Sequence, residues 1–214
     1  MDLDCLSKLA QIVFYAGGLI LGALTYMRAK STILNTVNTE YHKKVIERVS
    51  ALSDELYREF DSFSDDAWHK HNDTKVVIER LHEGLLENKA EILARGELEA
   101  GVPVGPLQLR LSNLTKKYKS DPFLPTPIRN KVVALLQKRF EATYHAYTHV
   151  LEAYQSELAQ GKYWDTLDTN HGWLHNQINE RLYSSGVGIS QVEEAVHDIR
   201  LEIQRYFDKF NPVD

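Results

Sequence analysis

Glutamate and histidine side chains three residues apart are the first candidates for chemistry in this sequence. Two such pairs occur, Glu79 with His82 and Glu194 with His197. On facing helices of a bundle, this Glu-x-x-His pattern supplies the ligands of di-metal carboxylate centres. A helical wheel places both pairs away from the apolar stripe of their helices. We therefore expect no metal site and no cofactor at these positions.

Two further histidine pairs have the spacing that brings both imidazoles onto one face of a helix. In the first pair, His145 and His149 share a polar face with Glu141 and Glu152. Contacts between residues four positions apart on a solvated helix surface account for such a face. We expect these side chains to be exposed to solvent.

The pair His171 and His175 lies on or beside an apolar face, because Leu174, Ile178 and Leu182 follow the same helical spacing. Histidines in such positions are usually partly buried and hydrogen-bonded. That is the predicted state, and a metal or proton-sensing site is the alternative.

No motif of a known catalytic centre is present in the sequence. It contains no His-Glu-x-x-His, no Walker loop and no Gly-x-Ser-x-Gly, and Cys5 is its single cysteine. One cysteine cannot form a disulfide within the chain, which agrees with a reducing compartment. We predict a protein that is not an enzyme.

Basic side chains are concentrated in one segment of an otherwise acidic chain of net charge −5. Residues 110–139 contain eight bases against Asp121 alone. The eight bases are Arg110, Lys116, Lys117, Lys119, Arg129, Lys131, Lys138 and Arg139. They predict a basic patch that binds anionic lipid, nucleic acid or the acidic face of a protein partner. A solvated surface that balances acidic neighbours is the alternative.

The first element that positions these side chains is an uncharged run at residues 9–27. Nineteen residues without a charge separate Lys8 from Arg28. As an α-helix they would extend about 28 Å, close to the ~30 Å hydrocarbon thickness of a bilayer. The acidic residues Asp2 and Asp4 and the lack of a small-residue cleavage pattern argue against a cleaved signal peptide. We predict a retained transmembrane helix, with a buried core helix as the alternative.

Basic residues near this run predict its orientation. Lys8 stands alone before it, whereas Arg28, Lys30, Lys43 and Lys44 follow it, and basic residues are retained on the cytoplasmic side. We therefore predict a short non-cytoplasmic N-terminus at 1–8, the transmembrane helix at 9–27, a juxtamembrane segment at 28–40 and a cytoplasmic domain at 41–214. The predicted location is the cell membrane, inner or plasma.

Two glycines in the run suggest self-association. Gly18 and Gly22 form a G-x-x-x-G pair, and such pairs allow two helix backbones to approach closely within lipid. A homo-oligomer is therefore a predicted partner arrangement, beside the bilayer itself. Glycine that is merely tolerated in a spanning helix is the alternative.

Helical spacing of apolar residues continues through the rest of the chain. A stripe through residues 34–63 predicts a long helix with the mean period of an ordinary bundle helix. Further helices are predicted from about Asp73 to about residue 100, at 107–118, from Pro127 to about Gln160, at 170–185 and at 189–210. The predicted fold class is all-α, with one transmembrane helix followed by a cytoplasmic bundle of about five helices.

These features together predict a non-enzymatic, single-pass, membrane-anchored helical protein of the interaction or sensor kind. Its bundle would bind an unidentified protein or nucleic-acid partner. The alternative is a membrane-acting effector subunit, of the toxin or defence-system type, that oligomerises through its transmembrane helix.

Overall fold

A computed structural model of the chain describes residues 3–71, 74–98 and 101–209. Throughout these ranges the regular elements are helices and no strand occurs, so the predicted all-α class is confirmed. The α-helices are α1 (Leu3–Tyr57), α2 (Trp68–His71), α3 (Lys75–Leu86), α4 (Lys89–Arg95), α5 (Pro106–Lys119), α6 (Thr126–Ala159), α7 (Asn170–Ser184) and α8 (Ile189–Asp208). Short 3-10 turns occupy Arg58–Phe60 and Trp164–Thr166.

The chain divides into two units, Met1–Glu47 and Arg48–Asp214. The first consists of the N-terminal part of α1, and nearly all of its described side chains are exposed up to residue 44. Among the described residues, no helix combines the length and the apolar character that crossing a bilayer requires. The predicted transmembrane helix includes residues 9, 10, 12 and 13, whose side chains lie outside the described part.

The second unit, called here the helical unit, has a core made from the apolar stripes that the spacing predicts. In α6 the predicted face is buried throughout, from Val132 and Leu136 to Val150 and Tyr154. In α8 the buried residues are Val192, Val196, Ile199 and Ile203. Burial of these stripes removes apolar surface from water, at roughly 25 cal/mol per Å², and this drives the helices together.

The C-terminal part of α1 contributes to this core over a shorter stretch than predicted. Val49, Leu52 and Leu56 are buried, but the helix ends at Tyr57, and Phe63 is 96% exposed. Side chains that cap the following turns explain this end. A carboxylate oxygen of Asp61 accepts a hydrogen bond from the backbone N–H of Phe63 at 3.0 Å, and local bonds of this kind compete with helix continuation.

The predicted helix from about Asp73 to residue 100 is interrupted, and α3 ends before α4 begins. Asp73, its expected N-cap, lies outside the described residues. The side-chain amide of Asn88 donates a hydrogen bond to the carbonyl of Gly84 at 3.2 Å. The backbone N–H of Asn88 donates instead to the carbonyl of Leu85 at 3.1 Å. The side chain therefore occupies the carbonyl that a continuing helix would bond, and the helix stops there.

The long helix α6 agrees with its predicted bounds. It begins at Thr126, beside Pro127, and ends at Ala159. Gly161 follows with φ +87°, in the left-handed region that glycine enters without strain. The predicted helices at 107–118, 170–185 and 189–210 correspond to α5, α7 and α8; residue 210 lies outside the described part.

The end of α1 within the helical unit packs antiparallel to α5. Three ion pairs join them: Arg48 with Asp121 at 3.7 Å, Glu55 with Lys117 at 2.6 Å, and Glu59 with Arg110 at 3.6 Å. Later residues of the α1 segment therefore pair with earlier residues of the α5 segment. The C-terminal end of α5 therefore lies beside Arg48, where the helical unit begins.

Candidate functional site

Two of the eight predicted patch residues, Arg110 and Arg139, have side chains that are largely enclosed by the rest of the helical unit. Arg139 is 3% exposed, and its Nη1 lies 2.8 Å from Oε2 of Glu59, which is itself 5% exposed. Nη1 of Arg110 lies 3.6 Å from Oε1 of the same carboxylate and donates to the carbonyl of Asp66 at 3.1 Å. The ring of Trp68 lies 5.2 Å from the Arg139 guanidinium. Arg110 and Arg139 are thus not available to an external partner in this structure.

This buried cluster joins the turn after α1 to α5 and α6. The pair between Arg139 and Glu59 has the distance of an ion pair but not the alignment of a hydrogen bond, and Oε2 of Glu59 and Nη2 of Arg139 have no hydrogen-bond partner among the described residues. Burial of charge in such a pair costs about as much as the attraction returns. Loss of either partner would leave the other charge buried alone, so we assign the cluster a structural role.

The other six patch residues remain at or near the surface. Lys117 and Lys131 form ion pairs, with Glu55 at 2.6 Å and Glu202 at 2.8 Å, and Lys138 donates to the carbonyl of Gly186 at 3.1 Å. The remaining cations are Lys116, Lys119 and Arg129, which make no ion pair with any residue the structure describes. A binding role for the patch stays a prediction, carried by fewer residues than the eight.

These free cations gather at one end of the helical unit. The C-terminal end of α5 lies beside Arg48, and α6 begins a few residues later at Thr126. The start of α6 contacts the C-terminal part of α8, because Nζ of Lys131 lies 2.8 Å from Glu202. We call this region the basic end. Its cations are Lys116, Lys119, Arg129, Lys131, Arg205 and Lys209.

Positive charge is in excess at the basic end. The hydrogen bond and charge of Lys131 hold the pKa of Glu202 below its ordinary value, with smaller contributions from Arg205 and Lys209. Three cations therefore surround one carboxylate. Asp121, another acid nearby, is paired with Arg48.

The order of charges along α6 is the reverse of what helix stability favours. Arg129, Lys131, Lys138 and Arg139 precede all three acids of the helix, which are Glu141, Glu152 and Glu157. The helix dipole favours acids near the N-terminus and bases near the C-terminus, by about 0.3–1 kcal/mol each. Intrahelical electrostatics therefore does not explain why bases are placed at the start of α6.

The predicted self-association residues lie on an open surface of α1. A side-chain carbon added at Gly17, Gly18 or Gly22 would meet no atom of another described residue within 4 Å, the helix's own nearby backbone aside. Large apolar side chains alongside are exposed, among them Phe14 at 78% and Leu19 at 77%. The surface is available for contact, and the partner that would cover it stays a prediction.

The histidine pairs of α6 and α7 occupy the predicted environments. His145 and His149 are exposed, and His171 and His175 are partly buried. Nδ1 of His175 lies 3.0 Å from the hydroxyl of Thr74, and the side-chain amide of Asn179 lies 2.7 Å from Nε2. Both ring nitrogens of His175 are therefore engaged within the protein. The predicted hydrogen-bonded state is confirmed for this pair, since Nδ1 of His171 lies 3.0 Å from the carbonyl of Asp168.

His82 is buried, and its predicted outward position is wrong. It is 9% exposed, and its Nε2 lies 2.8 Å from the hydroxyl of Tyr154. The amide of Asn170 donates to the same hydroxyl at 2.8 Å. A tyrosine hydroxyl can donate one hydrogen bond while it accepts another, so it can donate to Nε2 of a neutral His82 whose proton is on Nδ1. Glu79 is exposed, as predicted, and so are Glu194 and His197.

Burial sets the ionisation of this network. Desolvation lowers the pKa of His82, and the charge of Glu79 partly opposes the effect. Desolvation also raises the pKa of Tyr154, against the hydrogen bond from Asn170. Both groups are therefore held neutral near pH 7. Local spacing gave no signal for the burial of His82, since the position after Leu81 lies about 100° around the helix from it.

The clefts of the structure do not assemble a catalytic group. A cleft of about 320 Å³ is lined by Trp68, His69, His175 and Tyr183, yet His175 is already hydrogen-bonded on both nitrogens. Over the described ranges, no cluster of three or more His, Cys, Asp or Glu side chains could hold a metal ion. The chemistry that the geometry offers is charge at the basic end and apolar contact along α1.

Comparison with known proteins adds no relative from which a role could be inferred. No family model, no curated protein and no solved structure gave a significant match to this chain.

Proposed function

We propose that this protein is a single-pass, membrane-anchored interaction or sensor protein without enzymatic activity. Residues 9–27 would form the anchor, and the helical unit would bind a macromolecular partner, protein or nucleic acid, on the cytoplasmic side of the inner or plasma membrane. The observation that carries the proposal is the uncharged run of nineteen residues within α1.

The exposure of this run supports an apolar surrounding. Leu19 is 77% exposed, Ile20 61% and Leu21 66%, on a helix whose neighbouring side chains are also exposed. Apolar side chains that occur singly on a surface need no explanation, but a continuous exposed run marks contact with lipid or with another protein. The length of the run, about 28 Å as a helix, matches hydrocarbon thickness.

The contacts of titratable side chains in the helical unit support the interaction role. The unit's buried titratable side chains are joined in structural contacts, such as Arg139 with Glu59 and His82 with Tyr154. No nucleophile with an adjacent base emerges from the described contacts, and the free charge lies at the surface. Binding accounts for these features more simply than catalysis does.

A membrane-acting effector is the second candidate, and the open glycine surface favours it. Within the described part of the chain, no side chain approaches within 4 Å of a side-chain carbon placed at Gly18 or Gly22. Two copies could therefore approach backbone to backbone in lipid. Such an effector would act by assembling in the bilayer.

Alkaline carbonate extraction of membranes tests the anchor. We expect the full chain to stay in the membrane pellet, and a chain beginning near Tyr41 to be recovered in the soluble fraction with helical circular dichroism. Replacing Leu19 and Leu21 by Lys should release the full-length protein, because each charge near the centre of a spanning helix opposes insertion by about 2.5–3.5 kcal/mol. Recovery of the unaltered full chain in the soluble fraction would refute the anchor.

A further inference from the structure

We propose that the basic end of the helical unit is a docking surface for anionic lipid headgroups. The proposal rests on the anchored location proposed above and names the partner of this surface. It is carried by the placement of cations from three helices at one end of the unit.

The contacts that build this end come from separate parts of the chain. Lys116 and Lys119 belong to α5, Arg129 and Lys131 to α6, and Arg205 to α8. Residues 120–125 connect the end of α5 directly to the start of α6, and the pairing of Lys131 with Glu202 brings the C-terminal part of α8 beside them. Lys209 adds its charge beside Glu202.

The charge that remains after internal pairing is positive. Lys116, Lys119 and Arg129 make no ion pair with any described residue, and Lys131 and Arg205 share the single carboxylate of Glu202. A basic residue near an anionic membrane contributes about 1 kcal/mol, and this attraction falls off within a Debye length of about 10 Å. Three unpaired cations are enough for a salt-sensitive contact of short range.

Two of the cations lie where helix stability disfavours them. Lys116 and Lys119 at the end of α5, and Arg205 at the end of α8, are each favoured by the dipole of their own helix. Arg129 and Lys131 lie in the first two turns of α6, near the positive end of a helix dipole whose effect falls off within the first turn. Their position adds to the charge of the basic end at a small cost to the helix.

The proposed anchor favours a membrane as the partner. It would keep the helical unit, which begins at Arg48, near a bilayer, where anionic headgroups are concentrated. Four of the six cations are lysines, whose compact charge suits a diffuse headgroup surface better than the planar, bidentate pairing that arginine offers.

The test uses the full chain with one fluorophore at the basic end. Cys5→Ser and Asn130→Cys leave a single thiol on the exposed start of α6. The labelled chain is reconstituted into phosphatidylcholine vesicles, with or without about one-third phosphatidylserine, that carry a headgroup quencher. We expect stronger quenching with phosphatidylserine, and a loss of that increase when salt is raised from about 0.1 to 0.5 M.

Charge reversal identifies the surface. In the triple variant Lys116→Glu, Lys119→Glu, Arg129→Glu, the ratio of docked to undocked helical units should fall more than tenfold. Each basic contact with the membrane contributes roughly a fivefold factor to that ratio. The matched control Lys75→Glu, Arg80→Glu, Arg95→Glu changes the same charge on α3 and α4 and should keep the quenching. Circular dichroism of both variants should be that of the unaltered chain.

The outcomes separate this inference from the proposed function. If the chain does not float with neutral vesicles, the anchor proposal fails. If it floats with both vesicle types but quenching is independent of phosphatidylserine, or is equally lost in both variants, the docking surface is refuted while the anchor stands. The lipid-docking proposal would also be refuted if the triple basic-end variant lost binding to nucleic acid but showed the same quenching as the unaltered chain. The surface would then be a nucleic-acid site.

Discussion

At the scale of single residues, the buried charges of the helical unit determine where substitutions should be most damaging. Arg139 and Glu59 are each about 95% buried or more, and they come from segments eighty positions apart. An ion pair of this kind is weak evidence for net stability, but removal of one partner is costly.

Arg139→Met should lower the free energy of unfolding by about 3–5 kcal/mol, because it leaves the Glu59 carboxylate buried without a counter-charge. Urea unfolding followed by circular dichroism measures the loss. Lys138→Met, a neighbouring change at the exposed surface, should cost about 1 kcal/mol or less. The double variant Arg139→Met, Glu59→Met should recover much of the loss. A single-variant cost equal to that of Lys138→Met would contradict a structural role for the pair.

His82 should make the protein less stable as the pH falls. Because burial lowers its pKa in the folded state, the unfolded chain binds the proton first, near pH 6.5. Above that pH, His82 has no effect on the free energy of unfolding. As the pH falls from there through the folded-state pKa of His82, the free energy of unfolding decreases. A protonated His82 could meet the Tyr154 hydroxyl only as a donor, beside the donor that Asn170 already supplies.

Unfolding free energies between about pH 7 and pH 5 test this prediction. His82→Gln should reduce the loss of stability over this range relative to the unaltered chain. Glu79→Gln should enlarge it, since the opposing charge is removed. His197→Gln, at an exposed position, serves as the control. Identical profiles for His82→Gln and the unaltered chain would show that His82 is not held neutral by burial.

At the scale of elements, α1 carries the distinction between the two candidate functions. Its N-terminal part presents glycines that no described residue covers, and its C-terminal part contributes Val49, Leu52 and Leu56 to the core. The same helix can therefore serve as a passive tether or as an assembling anchor. The two roles differ in whether Gly18 and Gly22 are needed.

Gly18→Ile with Gly22→Ile should abolish self-association in membranes while leaving insertion intact, because branched side chains keep the backbones apart. A non-reducing gel and chemical crosslinking of membranes measure the dimer, and Gly101→Ala, outside the run, serves as the control. A dimer that survives both isoleucines would locate assembly in the helical unit. An effector should lose its effect on membrane potential with the dimer, whereas a tether should keep partner binding.

At the scale of the whole molecule, basic and acidic side chains are concentrated in different parts of the chain. The basic end gathers Lys116, Lys119 and Arg129, whereas the acids in the second half of α6 are Glu152 and Glu157, with no Lys or Arg among its residues. The predicted orientation rests instead on bases close to the uncharged run, Arg28 and Lys30 among them, which predict that the C-terminal portion faces the cytoplasm.

Accessibility of both ends of the chain tests that topology. A thiol reagent that does not cross membranes should label Cys5 in intact cells, and protease added outside should leave the helical unit uncut. The chain with Cys5→Ser is the labelling control. Labelling of Cys5 only after lysis would reverse the predicted orientation.

The sequence by itself determined the helical class and most helix limits in the helical unit. The apolar spacing of α6, Pro127 at its start and Gly161 after its end are local signals, and local signals suffice where one face of a helix is buried. The break between α3 and α4 was missed because it depends on a side-chain bond from Asn88 to Gly84. Apolar spacing contains no information about such a bond.

Only the tertiary structure decided which polar residues are buried. The wheel of α3 identifies one apolar face, but α3 buries Ile78 and His82 as well as Val77, Leu81 and Leu85, so the buried surface is wider than that face. His82 is enclosed because Tyr154, seventy-two positions away, supplies a hydrogen-bond partner for it. Arg139 is withdrawn from the basic patch for the same reason, since Glu59 lies opposite it only after α1, α5 and α6 have packed. Partners so distant in sequence leave no trace in local spacing, and their meeting is set by how the helices pack.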